Sequence, residues 1–219
     1  MYGTVHKKHE YNFIKQCLFN LNNTFRGCID NKIVETNKIY LQNKILNQFS
    51  NLSEAEKEIL SIDHITDPQH IDIYIKNLDK YVYGMAQISD SQISKLFKKE
   101  KKLKFPSLEV RESKNSYLGW IDEATRKLFI IHNMAGKNIG MSCRIVNQNS
   151  NTSHICSFCN NAGSDAEIAF VSTVCKTNAK YGNYKSIGFS VCLDSQKCNN
   201  QITSLDKLEK ILKEANNII

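Results

Sequence analysis

Four of the eight cysteines crowd into the last third of the chain at ligand-like spacing. Cys156-Ser157-Phe158-Cys159 is a C-x2-C pair, and Cys192 and Cys198 form a C-x5-C pair after an interval of 32 residues. A C-x2-C turn can aim two thiolates at one metal, and two such pairs supply the four sulfurs of a tetrahedral zinc site. Four sulfur ligands leave no coordination position for water or substrate, so the ion expected is one structural Zn2+. His154 and Cys175 are the substitutes should one of the four not ligate; His154 otherwise reads as an exposed loop residue. Two other readings stay open on these residues alone. The four can be buried reduced thiols, or the first pair can be a redox C-x-x-C, although no βαβ pattern follows it. Cys17 and Cys28 fall in an apolar helical pattern, and Cys143 and Cys175 in strand-like runs, where a thiol packs as a small apolar side chain.

Other chemistry is sparse. The chain has no phosphate-binding glycine loop, dinucleotide fingerprint, nucleophile elbow or H-E-x-x-H pair. His6, His9, His64, His70, His132 and His154 are scattered, and the neighbouring Asp122 and Glu123 read as a turn. The chain is therefore expected not to be an enzyme and to take no small-molecule substrate.

The elements that must hold the cysteines change character near Pro106. Ahead of it, Ile14, Leu18, Leu21 and Phe25 recur at helical spacing and stop at Gly27. A second helical pattern sets Ile33, Asn37, Tyr40, Leu41, Lys44, Ile45, Gln48 and Phe49 on one face. Ser53 with Glu56 is a capping box. Asp67-Pro68 opens another helix, with Ile71, Ile75 and Leu78 inward. Ser89 or Asp90 starts a fifth. Beyond Pro106, the segments 117–121, 127–131, 139–146, 167–174 and 184–191 are short and rich in β-formers, with a turn over 133–137. Thr203 or Ser204 caps a last helix. The second cysteine pair thus begins at a strand end and finishes just before a helix, the order of a treble clef: knuckle, hairpin, then ligands at a helix start. The fold class expected is α+β, an N-terminal four-helix bundle over 1–86, a bridging basic helix over 87–105, and a β-rich, treble-clef-like zinc domain over 106–219 closed by a helix.

Charge follows the same division. Residues 1–94 carry 10 Lys/Arg against 11 Asp/Glu, residues 95–104 six Lys against one Glu, and residues 105–219 carry 13 against 10. The lysine run reads either as a solvated helix end, favourable to the helix dipole, or as a patch facing an acidic partner. No stretch is apolar enough to span a membrane, and no apolar segment follows the first basic residues, so a cytoplasmic location is expected.

These residues also carry a resemblance. Leu118-Gly119-Trp120, Arg126 to Ile131, Cys156-x-x-Cys159-Asn160 and the run from Cys192 through Lys197, Cys198 and Gln201 to Leu205 resemble the FusB/FusC family of fusidic acid resistance proteins. Tyr11-Asn12-Phe13-Ile14 and the lysine run with Phe97 match it too. The resemblance implies a helical bundle followed by a treble-clef-like zinc domain with Cys156, Cys159, Cys192 and Cys198 as ligands. It implies binding to elongation factor G, largely through the zinc lobe, and promotion of its release from the ribosome, where fusidic acid traps it. In the family an aromatic residue tends to precede the first ligand, and a Lys and a Tyr lie shortly before the third. Here Ile155 holds the first place, while Tyr184, Lys185 and Phe189 offer similar chemistry in shifted register. Ile155, Phe158, Tyr184, Lys185 and Phe189 are therefore the expected partner surface, with packing over the zinc site or inside the sheet an equal reading for Phe158 and Phe189 and a plain exposed strand start an equal one for Tyr184 and Lys185. The protein is expected to act as a monomer. The alternative is a zinc-stabilised RNA- or ribosome-binding module, with basic residues on phosphates and Tyr and Phe for stacking.

Overall fold

The computed structural model describes residues 6–146, 153–176 and 185–218. The chain divides into two compact units, Met1–Tyr83 and Gly84–Ile219.

In the first unit a two-residue strand β1 (His6–Lys7) pairs in parallel with β2 (Val82–Tyr83), tying the two ends of the unit together. Between them run α1 (Lys8–Gly27), α2 (Asn31–Leu46), α3 (Glu54–Ile59) and α4 (Pro68–Leu78). Their starts follow the cap chemistry. Asp30 accepts the Lys32 N–H at 2.8 Å, Asp67 accepts that of Gln69 at 2.7 Å, and Ser53 and Glu56 exchange the two bonds of a capping box. Tyr11, Ile14, Leu18 and Leu21 of α1 meet Leu41 and Ile45 of α2 and Ile71, Tyr74 and Leu78 of α4 in one core.

One face differs from the expected pattern. The buried stripe of α2 is Val34, Lys38, Leu41 and Ile45, whereas Ile33 and Tyr40 are exposed. Lys38 is what hides this stripe. Its ammonium group is buried and donates to the carbonyls of Asp63 at 3.0 Å and Ile65 at 3.3 Å, satisfying backbone in the turn after α3. A buried charge survives there because it is hydrogen-bonded and lies 3.5 Å from the Glu35 carboxylate.

The second unit is built on a five-stranded antiparallel sheet in the order β3 (Leu118–Asp122), β4 (Lys127–Met134), β5 (Lys137–Ile145), β8 (Ile168–Val174), β9 (Ser186–Cys192). Ala135 and Gly136 form the two-residue β4–β5 turn, both at positive φ, the geometry that matches strand twist. Period-two alternation sorts the side chains to two faces. Leu128 and Ile130 of β4 point to a core with Met141, Val171, Val191 and the last helix, α8 (Asp206–Asn216). Phe129 and Ile131 point the other way, to Leu118, Trp120, Ile93 and Phe97. The sheet is thus covered on both sides.

The cover on the second side is α5 (Asp90–Leu96), opened by a Ser89–Gln92 capping box, and the segment after it. The helix expected over 87–105 is therefore only seven residues long, and its apolar side packs inside the second unit. The lysine run lies beyond the helix end, in turns and extended chain. Every third residue of that run is an anchor. Phe97 packs edge-on at 5.0 Å from Phe129 and 5.8 Å from Trp120. Both Glu100 carboxylate oxygens accept from Lys127 Nζ at 2.8 Å. Leu103 packs on the same cluster, the Lys104 carbonyl accepts the Trp120 indole N–H at 2.8 Å, and Pro106 is buried. The remaining elements are a short α6 (Leu108–Glu112), the hairpin of β6 (His154–Ile155) and β7 (Ala162–Gly163), and α7 (Ser195–Asn199).

Candidate metal centre

The β6–β7 hairpin is the knuckle. His154 pairs with Gly163 and Ile155 with Ala162, and Cys156 to Cys159 form the turn between them. The turn is closed by the Asn160 N–H donating to the Cys156 carbonyl at 2.9 Å and the Phe158 N–H to Cys156 Sγ at 3.4 Å, with Asn160 at positive φ. Cys192 is the last residue of β9. Asp194 then caps α7, its carboxylate accepting from the Gln196 and Lys197 N–H groups at 2.8 and 3.1 Å. One helical turn brings Cys198 back toward Cys192. This refines the expected order at one point: Cys198 precedes the final helix as expected, but lies within an additional one-turn helix of its own. The five-residue interval is the length this strand-to-helix turn needs.

The four sulfurs all lie within 4.8 Å of one another, and all four cysteines are buried. Cys156 and Cys198 are 3.8 Å apart, and Cys159 and Cys192 3.6 Å. A tetrahedron with zinc–sulfur bonds of about 2.3 Å has edges of about 3.8 Å, so the donor set fits a zinc ion in number, chemistry and spacing. Without a cation the thiols compete for protons. Sulfur–hydrogen donors from Cys159, Cys192 and Cys198 hold Cys156 below the usual thiol range, while its hydrogen bonds to Cys156, Cys159 and Cys192 push Cys198 up. A divalent cation removes that conflict by stabilising four thiolates together. His154 is half-buried and paired with Asp165, and Cys175 lies apart from the quartet, so neither expected substitute is part of it.

The surroundings contain residues that the motif did not reveal. Tyr117 is fully buried, and its hydroxyl makes no hydrogen bond, to sulfur included, among the described residues; the cysteine quartet, Cys198 foremost, is the polar group near it. Burial and the neighbouring cysteines push its pKa well up, so it stays a proton donor. Such a donor suits a metal-bound thiolate. Asn199 holds Tyr117 in place. Its side-chain oxygen accepts from the Ser116 and Tyr117 N–H groups at 2.7 and 3.1 Å, and its amide nitrogen donates to the Tyr117 and Ser195 carbonyls at 2.9 and 2.8 Å. Ser195 Oγ donates to the Gly119 carbonyl at 2.6 Å, and a Cβ on Gly119 would sit 2.8 Å from that of Ser195. These bonds join α7 to the start of β3.

The expected partner surface divides. Ile155 is 64% exposed beside the buried Cys156. Lys185 is exposed, with its ammonium 2.6 Å from the Glu214 carboxylate. Phe158 and Phe189 are 3% and 5% exposed and face each other at 5.5 Å, with Tyr117 edge-on to Phe158. They form the apolar floor of the metal site, not its surface, because their strand and turn positions point into the sheet core. Tyr184 lies outside the described residues. Among the described residues, no helix is long and apolar enough to cross a membrane.

Comparison with known proteins agrees with this geometry. Residues 6–86 match the family described as elongation factor G-binding protein, N-terminal, and residues 87–218 match that described as FBP C-terminal treble-clef zinc-finger. Curated protein sequences gave no match. Among solved structures, the fusidic acid resistance protein FusC superposes with a TM-score of 0.79 at 24% identity, covering 99% of this chain and 100% of that one. That likeness establishes a shared fold. With the second of the two family matches taking in more than half of its length, the chain belongs to the treble-clef zinc-finger family of elongation factor G-binding proteins.

Proposed function

We propose that this protein is a non-catalytic binder of elongation factor G, that Cys156, Cys159, Cys192 and Cys198 hold one structural zinc ion, and that binding promotes release of the factor from the ribosome. The observation that carries the reading is the pair of family matches, which together take in residues 6–218 and coincide with a helical unit and a tetrathiolate unit. A closed four-sulfur site leaves zinc no Lewis-acid role, so its work is to fix the knuckle and thereby the exposed Ile155. An exposed aliphatic side chain on a rigid turn is a suitable anchor for a protein partner.

Release needs no bond chemistry. A binder that prefers the conformation of free elongation factor G over the ribosome-held one shifts the equilibrium by its differential affinity, and a hundredfold preference is worth about 2.7 kcal/mol. Fusidic acid resistance follows if that shift empties ribosomes on which the drug holds the factor. We place the activity in the cytoplasm, with the protein acting as a monomer. Ribosomes loaded with elongation factor G and fusidic acid are sedimented with and without the zinc-loaded protein. The factor should move to the supernatant in proportion to added protein. Factor that stays in the pellet while the protein binds it free in solution rules out release.

A further inference from the structure

The lysine run is a constructed ridge rather than a frayed helix end. Phe97, Glu100, Leu103 and Pro106 face inward at intervals of three, and Lys98, Lys99, Lys101, Lys102 and Lys104 between them are exposed, as is Lys95 just before. Among the described residues none of these six lysines has a carboxylate partner. The one acidic residue of the run, Glu100, is taken by Lys127. Like charges crowded on ten residues repel, and a free loop would spread to relieve this. Here the backbone is held by an aromatic cluster, an ion pair and an indole hydrogen bond, so the charge is kept concentrated.

We propose that this ridge binds the phosphate backbone of a nucleic acid, independently of the elongation factor site. The residue type decides between polyanions. Lysine is depleted at protein–protein interfaces, whose energy comes from buried aromatic, Met and Arg side chains. A row of flexible point charges without a bidentate Arg fork suits sequence-independent contact with phosphates. A ridge fixed in advance also loses less conformational freedom on binding than a mobile tail.

The test uses the full-length, zinc-loaded chain and a fluorescein-labelled oligouridine of about 20 nucleotides, enough to exceed one single-strand site. Anisotropy is read between about 50 and 200 mM salt, where log K should fall by about 0.7 per phosphate neutralised for each unit of log salt. Lys98→Gln, Lys99→Gln, Lys101→Gln and Lys102→Gln combined should weaken binding at least about tenfold at low salt and flatten the slope by about 3. A control with Lys32→Gln, Lys76→Gln and Lys80→Gln on the helical unit should keep the slope nearly whole. Absence of RNA binding at low salt, or equal losses in ridge and control variants, overturns the proposal. So does polyglutamate binding as tightly as the RNA, which would assign the ridge to an acidic protein. Elongation factor G affinity, measured on the same variants, should be unchanged within about threefold, so the two readings stand or fall separately.

Discussion

Asn199→Ala should cost as much as truncating a large core side chain. Asn199 is 1% exposed, and its amide satisfies three backbone groups that have no other partner among the described residues: the Ser116 N–H, the Tyr117 N–H and the Tyr117 carbonyl. The β3–β4 ladder begins one residue later, at Leu118 and Ile131, and so cannot take them over. Each buried group left unpaired costs about 1–3 kcal/mol, and water entering the vacated space recovers part of that, giving about 3–5 kcal/mol in all. For a unit of this size that lowers Tm by about 10–20 °C. Asn199→Asp does not rescue. It keeps the two acceptor bonds but sets carboxylate oxygen against the Tyr117 and Ser195 carbonyls. The assay is urea unfolding of the zinc-loaded protein followed by the fluorescence of Trp120, the single tryptophan, which lies in the second unit. A loss below about 1 kcal/mol, or an Asp variant as stable as wild type, would refute the argument that Asn199 joins α7 to β3.

Three further outcomes follow from the same geometry. Zinc removal should unfold the second unit, since structural zinc contributes about 10–16 kcal/mol in isolated fingers, while the helical unit keeps its circular dichroism; unchanged Trp120 emission after measured zinc loss contradicts this. Tyr117→Phe should lower zinc affinity about tenfold with little change in fold, read by competition with a chromophoric chelator, because it removes the buried, unpaired hydroxyl that can turn to a thiolate of the quartet once the metal is bound; unaltered affinity would remove Tyr117 from the site. Thiol titration of the zinc-loaded chain should find one rapidly reacting cysteine, the half-buried Cys28, because Cys17 and Cys175 are buried and burial pushes the Cys143 thiol up to about 12. A second fast thiol with zinc retained goes against it.

The metal quartet was legible in the sequence because its information is local. Each cysteine pair spans one turn, and residue type alone selects the chemistry. Cap residues were legible for the same reason: Asp67, Ser53 and Ser89 act on N–H groups two or three residues away. What eluded the sequence depends on distant partners. The core face of α2 was misplaced because Lys38 stands in its stripe, and only the carbonyls of Asp63 and Ile65 explain a lysine there. The lysine run looked like a helix end because Pro106 was the nearest visible stop, whereas the anchors of that run are Trp120, Lys127 and Phe129 on the sheet. Phe158 and Phe189 read equally as partner-facing aromatics and as packing over the metal site, and only their mutual contact beside that site makes them interior. The Asn199–Tyr117 pair joins residues 82 positions apart, and no motif announces it.

The central claim is that the zinc unit presents a binding surface for elongation factor G, with Ile155 at its edge. Isothermal titration of the zinc-loaded chain with the elongation factor G of its own host tests this most directly. The account predicts a saturable one-to-one complex, weakened at least about tenfold by Ile155→Asp, a loss of about 1.4 kcal/mol or more, and abolished when zinc is withdrawn. No binding at low salt, or full affinity with the zinc unit unfolded, would contradict it.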